Sequence, residues 1–113
     1  MLRLTLAAAV VAVCALAVRP AEAYTIFVSN ERDNSVTVVD SESLEIVATI
    51  DVGRRPRGIT LSHDHTKLYV CVGDDNRIDV VDTETYEVVG TLPSGPDPEL
   101  FVLHPDGRYL YIA

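Results

Sequence analysis

Three groups of side chains in this 113-residue chain have types and spacings that could do chemistry. Arg54, Arg55 and Arg57, gathered around Pro56, are its one local concentration of positive charge. A guanidinium presents a planar fork of donors matched to carboxylate and phosphate, so these three arginines are the candidate ligand-binding site, for an anion. The plainer reading is a solvated loop offsetting an acidic protein. His63-Asp64-His65 offers two imidazoles, but structural zinc takes four protein ligands and catalytic zinc three, and no third is at hand. These read as turn residues, as does His104. Asp74-Asp75-Asn76 with Asp79 is rich in oxygen, as calcium prefers; Asp33-Asn34 repeats part of the pattern, which points to turn chemistry. No metal, cofactor or catalytic residue is expected. The chain holds no G-x-S-x-G, H-E-x-x-H, C-x-x-C or glycine-rich phosphate loop.

The elements that must position these residues announce themselves by repetition. Residues 26–67 align without gaps on 68–109, a period of 42, and 110–113 begin a third copy. Val38-Val39-Asp40 falls on Val80-Val81-Asp82, Asp33-Asn34 on Asp75-Asn76, Gly53 on Gly95 and Pro56 on Pro98. The arginine loop falls on Pro96-Asp97-Pro98-Glu99, where the charge is reversed. A fixed period in the forties filled with short β-type runs is the sequence form of a β-propeller, one four-stranded blade per repeat. The expected fold class is therefore all-β, built of four-stranded antiparallel blades.

In the middle copy the predicted strands are Gly58–Leu61, Leu68–Val72, Arg77–Asp82 and Tyr86–Leu92. The second and third are almost continuously apolar, as strands covered on both faces are. Asp40 and Asp82 should cap the turns that follow them. Gly53 and Gly95 are expected at positive φ, and His63–His65 and Pro105–Gly107 at hairpin tips. The first strand-like run, Thr25–Ser29, is the second of a blade and lacks an inner strand. Propellers close with 4–8 blades, so these two repeats are expected to be the N-terminal part of a longer protein.

Residues 1–23 read as a signal peptide: Arg3, an apolar run from Leu4 to Val18, and Ala21-Glu22-Ala23 as the small-x-small cleavage site. The run is shorter than the roughly 20 residues of a spanning helix, so no membrane span is expected after cleavage. Cleavage removes Cys14 and leaves Cys71 as the one cysteine, which favours a bacterial periplasm, or secretion, over a disulfide-stapled scaffold. The net charge of −8 argues against nucleic acid as a partner, because phosphate backbones demand a basic face.

Phe27-Val28-Ser29-Asn30, Asp33-Asn34-Ser35-Val36, Val38-Val39-Asp40 and Ile50-Asp51-Val52-Gly53 … Pro56 resemble the YVTN β-propeller repeat. The second copy keeps Tyr69-Val70 but has Cys71-Val72 where the repeat has Thr-Asn. The stretches 29–59 and 90–107 are similar to exported seven-repeat propellers associated with PQQ-dependent alcohol catabolism, which implies a seven-bladed protein of which these are two blades. That resemblance implies a non-enzymatic periplasmic binding or accessory protein, whose partner is a small molecule, a quinoprotein dehydrogenase or a transport system. Relatives that are lactonases, or that bind haem in a nitrite reductase, imply the alternative of an enzyme whose catalytic residues lie in other blades. Cell-surface members imply a third class, a scaffold. The chain has no tryptophan, against both the docking motifs of quinoprotein dehydrogenases and a WD repeat.

Overall fold

The computed structural model describes residues 22–113, and these form antiparallel sheet joined by turns. The signal-peptide reading lies outside the described residues up to position 21. Strands β1 (Thr25–Asn30), β2 (Ser35–Asp40) and β3 (Ile46–Asp51) make a first sheet in the order β1-β2-β3. Strands β4 (Pro56–Leu61), β5 (Lys67–Val72), β6 (Arg77–Asp82) and β7 (Glu87–Pro93) make a second, again in sequence order. Strands β8 (Phe101–Leu103) and β9 (Leu110–Ile112) pair to start a third. The four strands expected in the middle copy are all present, with ends shifted by a residue or two. The second sheet is a complete four-stranded blade, and the first is a blade without its inner strand.

The two sheets are held face to face. Val36, Val38 and Ile50 of the first pack with Leu68, Val70, Val72 and Val81 of the second in one buried cluster, edged by Phe27, Ala48, Ile59 and Leu61. The ladder accounts for this division. Val70 stands opposite Ile59 on one side and Asp79 on the other, and Leu68 opposite Leu61 and Val81, so all of these share one face. The other face of the same blade carries Cys71 and Ile78, also buried, on the side of the third sheet. Burial is why β5 and β6 have apolar side chains in both phases. It also pushes the Cys71 thiol up to about 11, so this cysteine is a packing residue and not a nucleophile.

The repeat is conserved in backbone conformation, not only in residue type. Left-handed φ values recur one period apart at Asn34 and Asn76, Leu44 and Tyr86, Arg55 and Asp97, and His65 and Gly107. The same β-bulge interrupts both outer pairs, at Val38/Val39 and at Val80/Val81, and such bulges blunt the edges of a sheet. Asp40 accepts the amides of Glu42 and Ser43, and Asp82 those of Glu84 and Thr85, as the capping expectation required.

One expectation is corrected. Gly95 has φ of 81°, but Gly53 is not at positive φ; the left-handed residue of its loop is Arg55. Gly53 is instead demanded by close approach, because a Cβ there would lie 2.7 Å from Asp75 Oδ2 and 2.9 Å from Val72 Cβ. Gly58 has a similar reason. Its N–H donates to the Glu99 carbonyl at 2.9 Å, joining the inner strand of the second blade to the segment that leads into β8.

Two predictions follow from this geometry. A methyl group on Gly58 would lie 2.6 Å from the Glu99 oxygen, whereas one on Gly90 meets nothing within 4 Å. Gly58→Ala is expected to lose about 1–3 kcal/mol in urea unfolding, as over-packing does, while Gly90→Ala stays within about 0.5 kcal/mol of the parent. The Lys67 ammonium, 2.8 Å from Asp82, with the Thr85 and Glu84 amides, holds the Asp82 carboxyl down at about 2. A carboxyl depressed in the folded state stabilises above its ordinary value of about 4 and loses that contribution as pH falls toward 2. Lys67→Met should therefore move the Asp82 titration, followed by carboxyl NMR, part of the way back toward that ordinary value.

Candidate functional site

The candidate site is the loop between β3 and β4, Val52 to Arg55, with the start of β4. It crosses from the first blade to the second, and three consecutive backbone amides in it are held by side chains. Gly53 N–H donates to Asp79 Oδ2 at 2.7 Å, Arg54 N–H to Asp75 Oδ2 at 2.7 Å, and Arg55 N–H to Asn34 Oδ1 at 2.9 Å. The three acceptors come from both blades, Asn34 from the first and Asp75 and Asp79 from the second, so the loop is fastened to each. Asp79 is 1% exposed, and its second oxygen accepts Arg77 Nε at 2.7 Å. The corresponding tie one blade on is Asp97 N–H to Asn76 Oδ1 at 2.8 Å. Asn34 and Asn76 are therefore parts of the frame, each a left-handed residue whose amide oxygen fastens the next interblade loop.

The three predicted arginines all lie on this loop or at its junction with β4, and each is met by carboxylate. Arg54 Nε donates to Asp75 Oδ1 at 2.8 Å, and Arg55 Nε to Asp74 Oδ1 at 2.8 Å. Arg55 also pairs with Asp97 and Arg57 with Glu99, while Arg57 Nε lies 3.8 Å from Glu31. Arg55–Asp97 and Arg57–Glu99 are pairs 42 residues apart. The charge reversal in the repeat is thus a contact: the same position in successive blades carries opposite signs because those side chains meet. The amide and guanidinium of Arg54 together hold the Asp75 carboxyl below its ordinary range, the amide bond being the larger cause.

Beside these pairs opens a cavity of about 320 Å³ lined by Ser29, Glu31, Pro56, Arg57, Gly58, Glu99 and Leu100. Ser29 Oγ donates to the Arg57 carbonyl at 2.8 Å, tying β1 to β4 at its wall. Arg57 stands between two carboxylates here, all three groups partly exposed. The site therefore offers a guanidinium already in charge balance, with carboxylates in excess around it. Sequence reasoning found the arginines but not Glu31, Asp74 and Asp75 as their partners; the signal available was the reversed charge at Asp97 and Glu99.

The histidines lie at the other end of β4, in the hairpin tips. His63 Nε2 is 3.0 Å from the His104 carbonyl oxygen, and His65 occupies the left-handed turn position. Asp64 is engaged by Ser62 and Thr66, the Ser62 hydroxyl first, which holds it down at about 2. Asp74, Asp75 and Asp79, grouped in sequence, are dispersed onto Arg55, Arg54 and the Gly53 amide. Among the described residues no three His, Cys, Asp or Glu side chains are arranged to hold a metal ion.

No protein-family model and no curated protein sequence matches the chain. Solved structures do. Hydrazine synthase of Kuenenia stuttgartiensis superposes with a TM-score of 0.75 and 29% identity over 79% of this chain and 25% of its own. A protein of unknown function from Desulfotomaculum acetoxidans gives 0.69 and 18%, over 79% and 31% of the two chains. Dihydro-heme d1 dehydrogenase NirN gives 0.68 and 21%, over 78% and 19%. Hydrazine synthase and NirN are β-propeller proteins, and the chain has their propeller-like all-β fold. It spans between a fifth and a third of the lengths of these neighbours.

The buried carboxylate yields a test of the frame. Asp79→Ala removes the buried acceptor of the Gly53 amide and the nearer carboxylate of the partly exposed Arg77 guanidinium, for an expected loss of about 1–3 kcal/mol in chemical unfolding. Arg54→Ala, which breaks an ion pair with a well-exposed guanidinium, should cost less than about 1 kcal/mol.

Proposed function

We propose that the chain is part of an exported, periplasmic β-propeller of the YVTN type that works as a non-enzymatic binding or accessory protein for PQQ-dependent alcohol oxidation. Further blades of the same repeat complete its ring, and its ligand or partner docks at the mouth where the β3–β4 loop opens. The observation that carries the reading is the division of labour within the repeat. Asn34 and Asn76 fasten successive loops in the same way, while the side chains displayed there change from Arg55 to Asp97 and from Arg57 to Glu99. A constant frame with a variable display is the pattern of recognition surfaces carried on loops. The cavity beside Arg57, with Glu31 and Glu99 around it, is the opening through which such a partner would be met.

A second reading draws on the likeness to hydrazine synthase and to the dehydrogenase NirN. There the chain is the propeller portion of an enzyme, and catalytic groups come from parts of the protein other than the described residues.

Deleting the gene in its host separates these readings. The accessory role predicts slower growth on alcohols and lower periplasmic quinoprotein dehydrogenase activity, both restored by the wild-type gene, with a secreted chain that begins at Tyr24. Unchanged growth and unchanged dehydrogenase activity would remove that role. Lactone turnover or haem uptake by the purified protein would establish the enzyme instead.

A further inference from the structure

A second cavity, of about 310 Å³, opens at the other end of the blades, between the hairpin tips of the second and third sheets. His63, Asp64, Thr66, Lys67 and Tyr69 of one sheet and Asp106 of the next line it. Its size is at the lower end of the roughly 300–1,000 Å³ of small-molecule sites. Its position recurs one period earlier. Between the first and second blades a cavity of about 300 Å³ is lined by Tyr24, Thr25, Phe27 and His65, the counterparts of Thr66, Lys67, Tyr69 and Gly107. Thr83, from the outer hairpin of the second blade, borders that cavity and does not fill it. The notch is therefore a feature of the joint between blades, and a blade whose outer strands are in place keeps it open. In the later notch Gly107 lets the His63 ring lie against the neighbouring tip, since a Cβ there would be 3.2 Å from His63 Cδ2.

The polar groups of this notch use only part of their hydrogen-bonding capacity on the fold. His63 Nε2 lies 3.0 Å from the His104 carbonyl oxygen, which can only accept. Nε2 therefore carries the proton, and the neutral ring keeps a lone pair on Nδ1. The hydroxyls of Ser62 and Thr66 and the Thr66 amide all donate to Asp64 Oδ1. Asp106 Oδ1 accepts the Arg108 amide and lies 2.8 Å from His104 Nδ1. Among the described residues, Oδ2 of both carboxylates, His63 Nδ1 and the Tyr69 hydroxyl have no hydrogen-bond partner. Lys67 donates to Asp82 at 2.8 Å and to the Thr66 carbonyl at 3.4 Å, which leaves one of its three protons. Such a set selects by exclusion. The two carboxylates repel an anion and the ammonium repels a cation. A hydroxyl is neutral, and it can both donate to the carboxylates and accept from the lysine. Tyr69 adds the face of a ring beside them. The earlier notch has Phe27 at that place but no carboxylate in its lining.

We propose that the notch between the second and third sheets binds a neutral hexopyranose, its hydroxyls held by Asp64, Asp106, His63 and Lys67 and its ring lying against Tyr69. The site belongs to the joint between blades and stands at the opposite end from the opening beside Arg57. It does not rest on the accessory role. Failure of the deletion experiment leaves it standing, and its own failure leaves the deletion experiment unaffected.

Saturation-transfer NMR on the protein purified from its host tests it, with the methyl glycosides of glucose, galactose, mannose and N-acetylglucosamine as probes. At least one should give a signal, and an excess of inorganic phosphate or of putrescine should not displace it. Titration of the strongest probe should show Kd raised about tenfold by Asp106→Asn, which keeps the Oδ1 acceptor of the turn and puts a donor in place of Oδ2. Tyr69→Phe, the residue that the repeat already carries at position 27, should raise Kd about threefold with the fold intact. Arg57→Gln, at the opposite end, should leave Kd unchanged. Silence from all four glycosides would overturn the proposal, as would displacement by phosphate or putrescine. So would an affinity that neither Asp106→Asn nor Tyr69→Phe moves, or one that Arg57→Gln weakens.

Discussion

The structure depends on one constraint: a four-stranded blade of six- or seven-residue strands buries its apolar side chains only if another blade lies against it. A sheet of this size has two faces, and the middle strands β5 and β6 bring apolar groups to both. Leu68, Val70 and Val81 look toward the first blade and Cys71 and Ile78 toward the third. No single sheet could exclude water from that many groups, so the unit of stability is the stacked pair. The period of 42 residues, the bulges at matching positions and the recurrent left-handed turns all present the same face at the same height in each copy. At Ile26 and Val28, which no other described strand covers, the same positions are exposed instead.

Stacking by apolar contact alone leaves the rotation of one blade on the next loosely determined, because hydrophobic burial is not directional. The polar groups supply direction. Asp79 reaches from inside the second blade to the amide of Gly53, Asn34 to that of Arg55, and Gly58 bonds the backbone ahead of the third sheet. These are hydrogen bonds in places where a side chain at Gly53 or Gly58 would force the partners apart. The ion pairs of Arg54, Arg55 and Arg57 lie outside this frame, toward solvent, where screening makes each weak. They are free to differ from blade to blade for that reason, whereas the Asn34 and Asn76 ties are not.

Much of this was legible in the residues. The period, the strands, the Asp40 and Asp82 caps and the turns at Asp33-Asn34 and Asp75-Asn76 follow from local chemistry, which a sequence states directly. Gly53 shows where that ends. Its type suggested positive φ, but its reason is the proximity of Val72 and Asp75, about twenty residues away, and the left-handed position passed to Arg55. Leu44 and Tyr86 adopt left-handed turns without being residues that favour them, because the Asp40 and Asp82 carbonyls hold their amides at 2.9 Å. The arginine cluster was found and its environment was not. Charge partners drawn from β5–β6 and from the next blade become neighbours only once the sheets stack.

The reversal of charge between Arg55 and Asp97 carries a consequence for the mouth as a whole. When equivalent positions in adjacent blades face each other, like charges there would repel at close range, so each copy constrains the sign carried by the next. Successive pairs still differ in shape and reach, as Arg55 with Asp97 does from Arg57 with Glu99, and groups are left over when the pairs are made. In the described residues that surplus is acidic, with Glu31, Asp74, Asp75, Asp97 and Glu99 around three arginines. In the folded chain each of the three arginines of this loop already meets carboxylate, while the directional ties between the blades are the Asp79 and Asn34 bonds to its backbone amides.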